Sequence, residues 1–269
     1  MTKNIKRFIF SVFPILLFCS CGEGELDDLR TTLDNVVSEN QLGYFPLIAH
    51  QGCWSGDNCP RNSLAAFREA LQKNIFGTEF DVRRTLDGLH VISHGADFCG
   101  LPIAQTNYQE LCRFHLSNGE AIPLLEDFIK LYASSDTKVK MVLDLKACNI
   151  NDIIELLNRY DALSDAIFVS FYKKHCNELV KRGLGDNTYY LYGDTSPKDV
   201  YDAGYGGIDY SYLIYQSNPE WITEAKELGL KISVWNVNDI KSIKDYIKND
   251  IIVTTDAVSH VFNEKDFVQ

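Results

Sequence analysis

Three features of the 269-residue sequence predict an α/β chain folded as a single TIM-type (β/α)8 barrel. From Pro46 onward, short β-rich runs alternate with amphipathic helical patterns, the mark of parallel strands joined by crossover helices. Eight such runs occur in a stretch of the length one barrel needs. No internal repeat, low-complexity tract or shift in composition marks a second domain after Pro46.

The chain opens with Lys3, Lys6 and Arg7 before an apolar run, Phe8 to Cys19, whose twelve residues fall short of the about twenty needed to span a bilayer. Residues 1–20 therefore read as a secretion signal. Its end, Leu17-Phe18-Cys19-Ser20-Cys21-Gly22, resembles a bacterial lipoprotein box. Cys21 is the expected lipidation site, with Cys19 a second candidate and ordinary signal-peptidase cleavage the other reading. The expected location is a bacterial cell envelope, periplasmic or surface side, with the membrane met only through this anchor. Residues 21–45 begin with Glu23, Glu25, Asp27 and Asp28 and read as a solvated acidic tether or a sorting signal, leaving 46–269 for the barrel.

The eight expected strands lie near Leu47–His50, Thr78–Val82, Val139–Leu145, Ala166–Phe171, Thr188–Leu191, Gly207–Tyr210, Lys231–Trp235 and Ile251–Thr254. Helical stretches between them include Ser63–Gln72, with Leu64, Phe67 and Leu71 on one stripe, Leu124–Ala133 and Asn151–Arg159. One segment departs from the alternation. After Val82, Asp87-Gly88 stands between β-prone residues as a hairpin turn, an insertion that folds His94 back towards Asp81.

A net charge of −11, with 45% apolar and 23% charged residues, excludes disordered, collagen-like and multi-spanning membrane classes. It also argues against a nucleic-acid partner, which needs a basic stripe to displace phosphate counterions. Six cysteines follow the expected cleavage site. Cys53 with Cys59, and Cys99 with Cys112, bracket loops that a disulfide would close, and buried thiols are the alternative. No Cys-x-x-Cys pair points to structural zinc.

Glu79 and Asp81 are two apart on a strand, so both carboxylates point to one face, about 6.6 Å apart along the backbone. Like charges on a largely buried face repel and lose hydration, and a hard cation such as Ca²⁺ or Mg²⁺ resolves both costs with oxygen ligands. Asp144, ending the next strand, supplies a third. His50 ends the first strand and the hairpin returns His94 to the same mouth. Two imidazoles beside a cation suit phosphodiester chemistry, one taking a proton and the other giving one to the leaving oxygen.

The segments IAHQG, PRNSLAAFREAL, GTEFDVRRTLDGLHVISHG and VLDLK, followed by IPLLEDFI, SF at Ser170, VWNVND and IIVTTD, resemble in order the motifs of the glycerophosphodiester phosphodiesterase family. That resemblance covers nearly all of Leu47 to Asp256. It implies a divalent-cation-dependent hydrolysis of a glycerophosphodiester, or of a lysophospholipid headgroup, to sn-glycerol 3-phosphate and an alcohol. His50 and His94 would be the acid/base pair, Glu79, Asp81 and Asp144 the metal ligands, and Lys146 a phosphate contact. Trp235 would line the substrate pocket or belong to the core, and Asp144 has a salt bridge to Lys146 as its alternative role. Four positions differ from the family pattern: Gln51 in place of arginine, Arg61 in place of glutamate, Gly95 in place of aspartate and Asp144 in place of glutamate. Gln51 lacks the bidentate charge of arginine, so Arg61 is expected to reach back across the mouth and restore it. His-Gly after the hairpin and Asp-Leu-Lys on the next strand are also similar to the sphingomyelinase D-like phospholipase D toxins, which form cyclic phosphates. That activity, and a non-catalytic surface lipoprotein that binds phosphodiesters, are the alternatives.

Overall fold

The computed structural model describes residues 23–39 and 43–262, so the expected signal peptide and Cys21 lie outside it. Eight parallel strands form the barrel: β1 (Phe45–Ala49), β2 (Ile75–Arg84), β4 (Lys140–Leu145), β5 (Ala166–Ser170), β6 (Thr188–Tyr190), β7 (Gly207–Ser211), β8 (Lys231–Trp235) and β9 (Ile252–Thr255). β1 pairs with both β9 and β2, which closes the sheet and leaves no edge. β3 (His90–Ile92) is the hairpin strand, antiparallel to the end of β2 in the register Val82 to Ile92, and the Ser93 N–H bonds the Asp81 carbonyl at 2.9 Å. The expected strands and insertion are all present.

The helices around the barrel begin where the sequence supplies caps. In α2 (Leu64–Leu71) the Ser63 hydroxyl accepts from the Ala66 N–H. Asn149 accepts two N–H groups of α4 (Ile150–Arg159), and Asp239 caps α8 (Ile240–Ile247). Between these lie α3 (Leu125–Ala133), α5 (Lys173–Lys181), α6 (Pro197–Asp202) and α7 (Glu220–Glu227), and α9 (Val258–Val261) closes the described chain. The main core lies between sheet and helices. Phe67, Phe80 and Phe128 pack there with ring centroids 4.4 to 5.4 Å apart. A second cluster of Ile48, Val142, Ile167, Val169, Tyr189 and Leu191 fills the barrel interior.

The acidic tether is a correction. Glu23–Glu39 forms α1, with Leu29, Leu33 and Val36 buried. The helix lies on α8 and α9: Asp28 pairs with Lys244 of α8, and the Arg30 guanidinium donates to the Val261 carbonyl of α9 at 2.8 Å. Glu25, Asp27 and Asp28 are exposed on its outer face, and the apolar residues between and after them recur at helical spacing, so burial of one stripe outweighs the charge of the other. The bracketed cysteine pairs are free thiols, Cys53 and Cys59 buried, Cys99 exposed.

Candidate active site

On β2, Phe80 and Val82 enter the outer core, which turns Glu79 and Asp81 into the barrel. Asp144 sits beside Asp81 in register, and one oxygen from each of the three acids lies within 4.8 Å of the others. All three side chains are buried. Asp81 Oδ2 accepts from Gln51 Nε2 and from Asn62 Nδ2, both at 2.9 Å, while Lys146 Nζ lies 3.2 Å from Oδ1. Burial alone would raise the Asp81 carboxyl, but Lys146, His94 and Asn62 together hold it below its ordinary value. Glu79 receives the Gln51 N–H at 3.0 Å, yet burial and then the charges of Asp81 and Asp144 push it well up. Asp144 is pushed up to about 6, chiefly by burial; its Oδ2 pairs with Lys146, and its Oδ1 has no hydrogen-bond partner among the described residues. Three buried carboxyls, one of them with an oxygen that has no hydrogen-bond partner among the described residues, form a donor set suited to a hard divalent cation.

His50 stands just beyond β1, with Nε2 4.0 Å from Glu79 Oε2. Its other ring nitrogen is fixed by Asp256, whose Oδ1 lies 2.8 Å from Nδ1. The same carboxylate accepts from Trp54 Nε1 at 3.2 Å, from Arg61 at 2.9 Å and from Asn238 at 3.0 Å. His50 and Arg61 accordingly hold Asp256 far below the ordinary carboxylate range despite its burial. The Asn236 amide nitrogen is 2.8 Å from His50 Nδ1, and its oxygen has no partner among the described residues. Turning that amide end for end would present the oxygen to the ring N–H. His94 is exposed at the hairpin end, where Arg83 clamps its carbonyl at 2.7 Å. Loss of part of the ring's hydration against the mouth, opposed by Asp81 and reinforced by Lys146, lowers the imidazole below its ordinary value.

Arg61 does reach back across the mouth. Its guanidinium lies 3.3 Å from Gln51 Oε1 and stacks 3.9 Å over the Trp54 ring. Gln51 itself is turned down onto Asp81 and is 5% exposed, so it braces the acids and presents no side chain to a substrate. Its backbone, at φ +56°, and Gly52, at φ +85°, make the sharp exit from β1. A β-carbon at Gly52 would come within 2.7 Å of Ala66. Gly95 is explained locally as well, because a β-carbon there would lie 2.9 Å from the Asp97 carbonyl oxygen. Lys146 pairs with both acids, so its salt-bridge role stands beside any contact with phosphate. Trp235 is half-buried, donates to the Asp209 carbonyl at 2.9 Å and packs on Phe171. His90 and His175 are structural, bound to Asn149 N–H and to the Leu145 carbonyl respectively.

Residues 50–259 match the family model described as the glycerophosphoryl diester phosphodiesterase family. The chain belongs to that family. A solved structure of a glycerophosphodiester phosphodiesterase from Parabacteroides distasonis is 29% identical, with a TM-score of 0.75 over 80% of this chain and 94% of that one. An Oleispira antarctica phosphodiesterase solved with the product sn-glycerol-3-phosphate shares the fold, at 21% identity and a TM-score of 0.67 over 80% of this chain and 94% of that one. A curated Mycobacterium tuberculosis protein named "Probable glycerophosphodiester phosphodiesterase 2" is 31% identical over 131 residues, 46% of this chain and 47% of its own length. The chain therefore matches about half the length of that relative. Sequence reasoning missed four residues of this family member's site: Trp54, Asn62, Asn236 and Asp256. Asn62, Asn236 and Asp256 lay inside quoted segments and Trp54 between two of them, but only the closed barrel shows that the end of β9 lies against the end of β1.

Proposed function

We propose that the chain hydrolyses glycerophosphodiesters to sn-glycerol 3-phosphate and an alcohol, using a divalent cation, Ca²⁺ or Mg²⁺, held by Glu79, Asp81 and Asp144. The observation that carries this reading is the convergence of three buried carboxyls with His50 at one barrel mouth, to which the hairpin returns His94. A bound cation would offset the charge of the phosphoryl oxygens. Water attacks phosphorus, the bond from phosphorus to the alcohol oxygen breaks, and the water's proton goes to a base while the alcohol gains one. His94, lowered below the usual histidine value, takes the first proton. His50, its Nδ1 turned to the Asp256 carboxylate, presents Nε2 for the complementary transfer to the leaving oxygen. Lys146 and Arg61 supply the positive charge that the family places on arginine after the first-strand histidine.

The test is ³¹P NMR of the purified protein with glycerophosphocholine, lysophosphatidylcholine and sphingomyelin, each in Ca²⁺, Mg²⁺ and chelator. A metal-dependent monoester signal is expected. A cyclic phosphate from the lipid substrates would move the chain to the toxin-like chemistry, and no product from folded, metal-loaded protein would leave only phosphodiester binding.

A further inference from the structure

The chain between β3 and α3 is tied down on the start of α2. It makes a tight turn at Leu116–Glu120, where the Gly119 N–H bonds the Leu116 carbonyl at 3.0 Å and the Leu116 N–H bonds the Glu120 carbonyl at 2.7 Å. Asn118 steadies the glutamate side chain by donating to Oε1 at 2.8 Å. The carboxylate so placed accepts the first two N–H groups of α2, Leu64 at 2.7 Å on Oε2 and Ala65 at 3.1 Å on Oε1, while Ser63 takes the third. The Ser117 hydroxyl adds a second tie, to the Asp57 carbonyl at 2.8 Å. Asn149 and Asp239 cap α4 and α8 from within the sequence of those helices, as Ser63 does for α2. Glu120 comes from a separate segment, and so joins two parts of the fold.

What that carboxylate clamps adjoins the acids of the site. Asn62, one residue before Ser63, is buried at φ +57° and grips Asp81 from two directions. Its Nδ2 donates to Asp81 Oδ2 at 2.9 Å, and its Oδ1 accepts the Asp81 N–H at 3.3 Å. Its own N–H bonds the Gln51 carbonyl at 2.9 Å, so the same residue also spans to the exit from β1. On the other side of the tie, Val91, Ile103, Leu111 and Ile122 form a small apolar core of their own. A packed core transmits a displacement where a loose loop would absorb it. Resting on the function proposed above, we infer that Glu120 is a positioning residue, which fixes the start of α2 so that Asn62 holds Asp81 where a divalent cation needs it. Asn62 touches the ligand, and Glu120 acts on the ligand through Asn62.

The test is a double-mutant cycle read by calorimetric titration of the purified protein with Mg²⁺ and with Ca²⁺. Asn62→Gly, which suits the left-handed backbone and removes the side chain, should weaken cation binding about 10-fold or more, the scale for groups bonded to a ligand. Glu120→Ala should weaken it about three- to tenfold, and Glu120→Gln, which keeps one acceptor oxygen, should fall between that variant and wild type. Combined with Asn62→Gly, Glu120→Ala should add less than about twofold, because its effect passes through the side chain already removed. Ser196→Ala, which strips the cap of α6, should lower the melting temperature and leave cation affinity unchanged. A Glu120→Ala variant that melts lower yet binds the cation as wild type does, or losses that multiply in the double variant, overturns the inference alone. Wild-type protein that binds neither cation overturns the metal dependence proposed above and this inference with it.

Discussion

The two halves of the barrel mouth are built on opposite principles. On the side of β1, β2, β4 and β9, two carboxylates are each held by several groups: Asp81 by Gln51, Asn62 and Lys146, and Asp256 by His50, Trp54, Arg61 and Asn238. Between β5 and β8 the mouth is lined by the rings of Phe171, Tyr192 and Trp235, and the carboxyl beneath them, Asp209, has an oxygen with no hydrogen-bond partner among the described residues. Charge is fixed in advance where a phosphoryl group needs it, because reorganising charged groups during reaction is costly. The other half holds shape and little field. Changes on the polar side should therefore strike turnover, and changes on the aromatic side should strike substrate choice or stability.

The largest effect is expected from His94→Ala. Its side chain is exposed, so the fold should stand while turnover falls about 10²-fold or more. The sign of its pH dependence follows from the lowered imidazole. His94 acts as a base only when unprotonated, so wild-type activity should hold down to the ordinary histidine value of 6.5 and fall only below it. That limb should vanish from the residual activity of the variant in a pH profile of kcat. An aromatic-side variant with an equal turnover loss and an intact binding constant would erase the division between the halves.

A smaller loss is expected from Asp256→Asn, which keeps the shape and removes the anion behind His50 and Arg61. Turnover should fall about 10- to 100-fold, the range for groups that orient a reacting residue, with KM nearly unchanged. Steady-state kinetics separates the two parameters. A rise in KM with intact kcat would assign Asp256 to binding through Arg61.

The sequence carried the fold and most of the polar half, because each of its parts has a local signature: alternating periods for the barrel, two acids at strand spacing, an Asp-Gly turn that returns His94. Arg61 was legible as a relocated charge for the same reason, since only its loss from position 51 and gain at 61 had to be noticed. Asp256 and Asn236 were not, because their meaning depends on β9 and β8 closing against β1 across nearly the whole chain. The aromatic wall was half visible in Trp235, while Tyr192 joins it only through the stagger of neighbouring strands. The helix α1 misled because four acids near its start outweighed, in a compositional reading, an apolar stripe that needs α8 to bury it.

The smallest effect sharpens the comparison from the aromatic side. Asp209 faces into the barrel beside Ser233, 5% exposed, and burial, reinforced by Asp144 and opposed by Ser233, pushes it up to about 7 from an ordinary 3.8. Among the described residues no cation neutralises it as Lys146 neutralises Asp81. The folded protein therefore keeps a proton between about pH 4 and 7 that the unfolded chain has released, so this group's contribution is fully present below about pH 4 and lost as pH rises to 7. The loss amounts to at most about 4 kcal/mol on the scale of 1.4 kcal/mol per unit. Asp209→Asn removes the titration, so the variant should gain thermal stability on wild type between pH 5 and pH 8 by several degrees, on the scale of about 2–4 °C per kcal/mol. Thermal melts across that range are the measurement. A difference in melting temperature that stays flat with pH would show Asp209 ionised and compensated, and the two halves of the barrel would then share one way of holding charge.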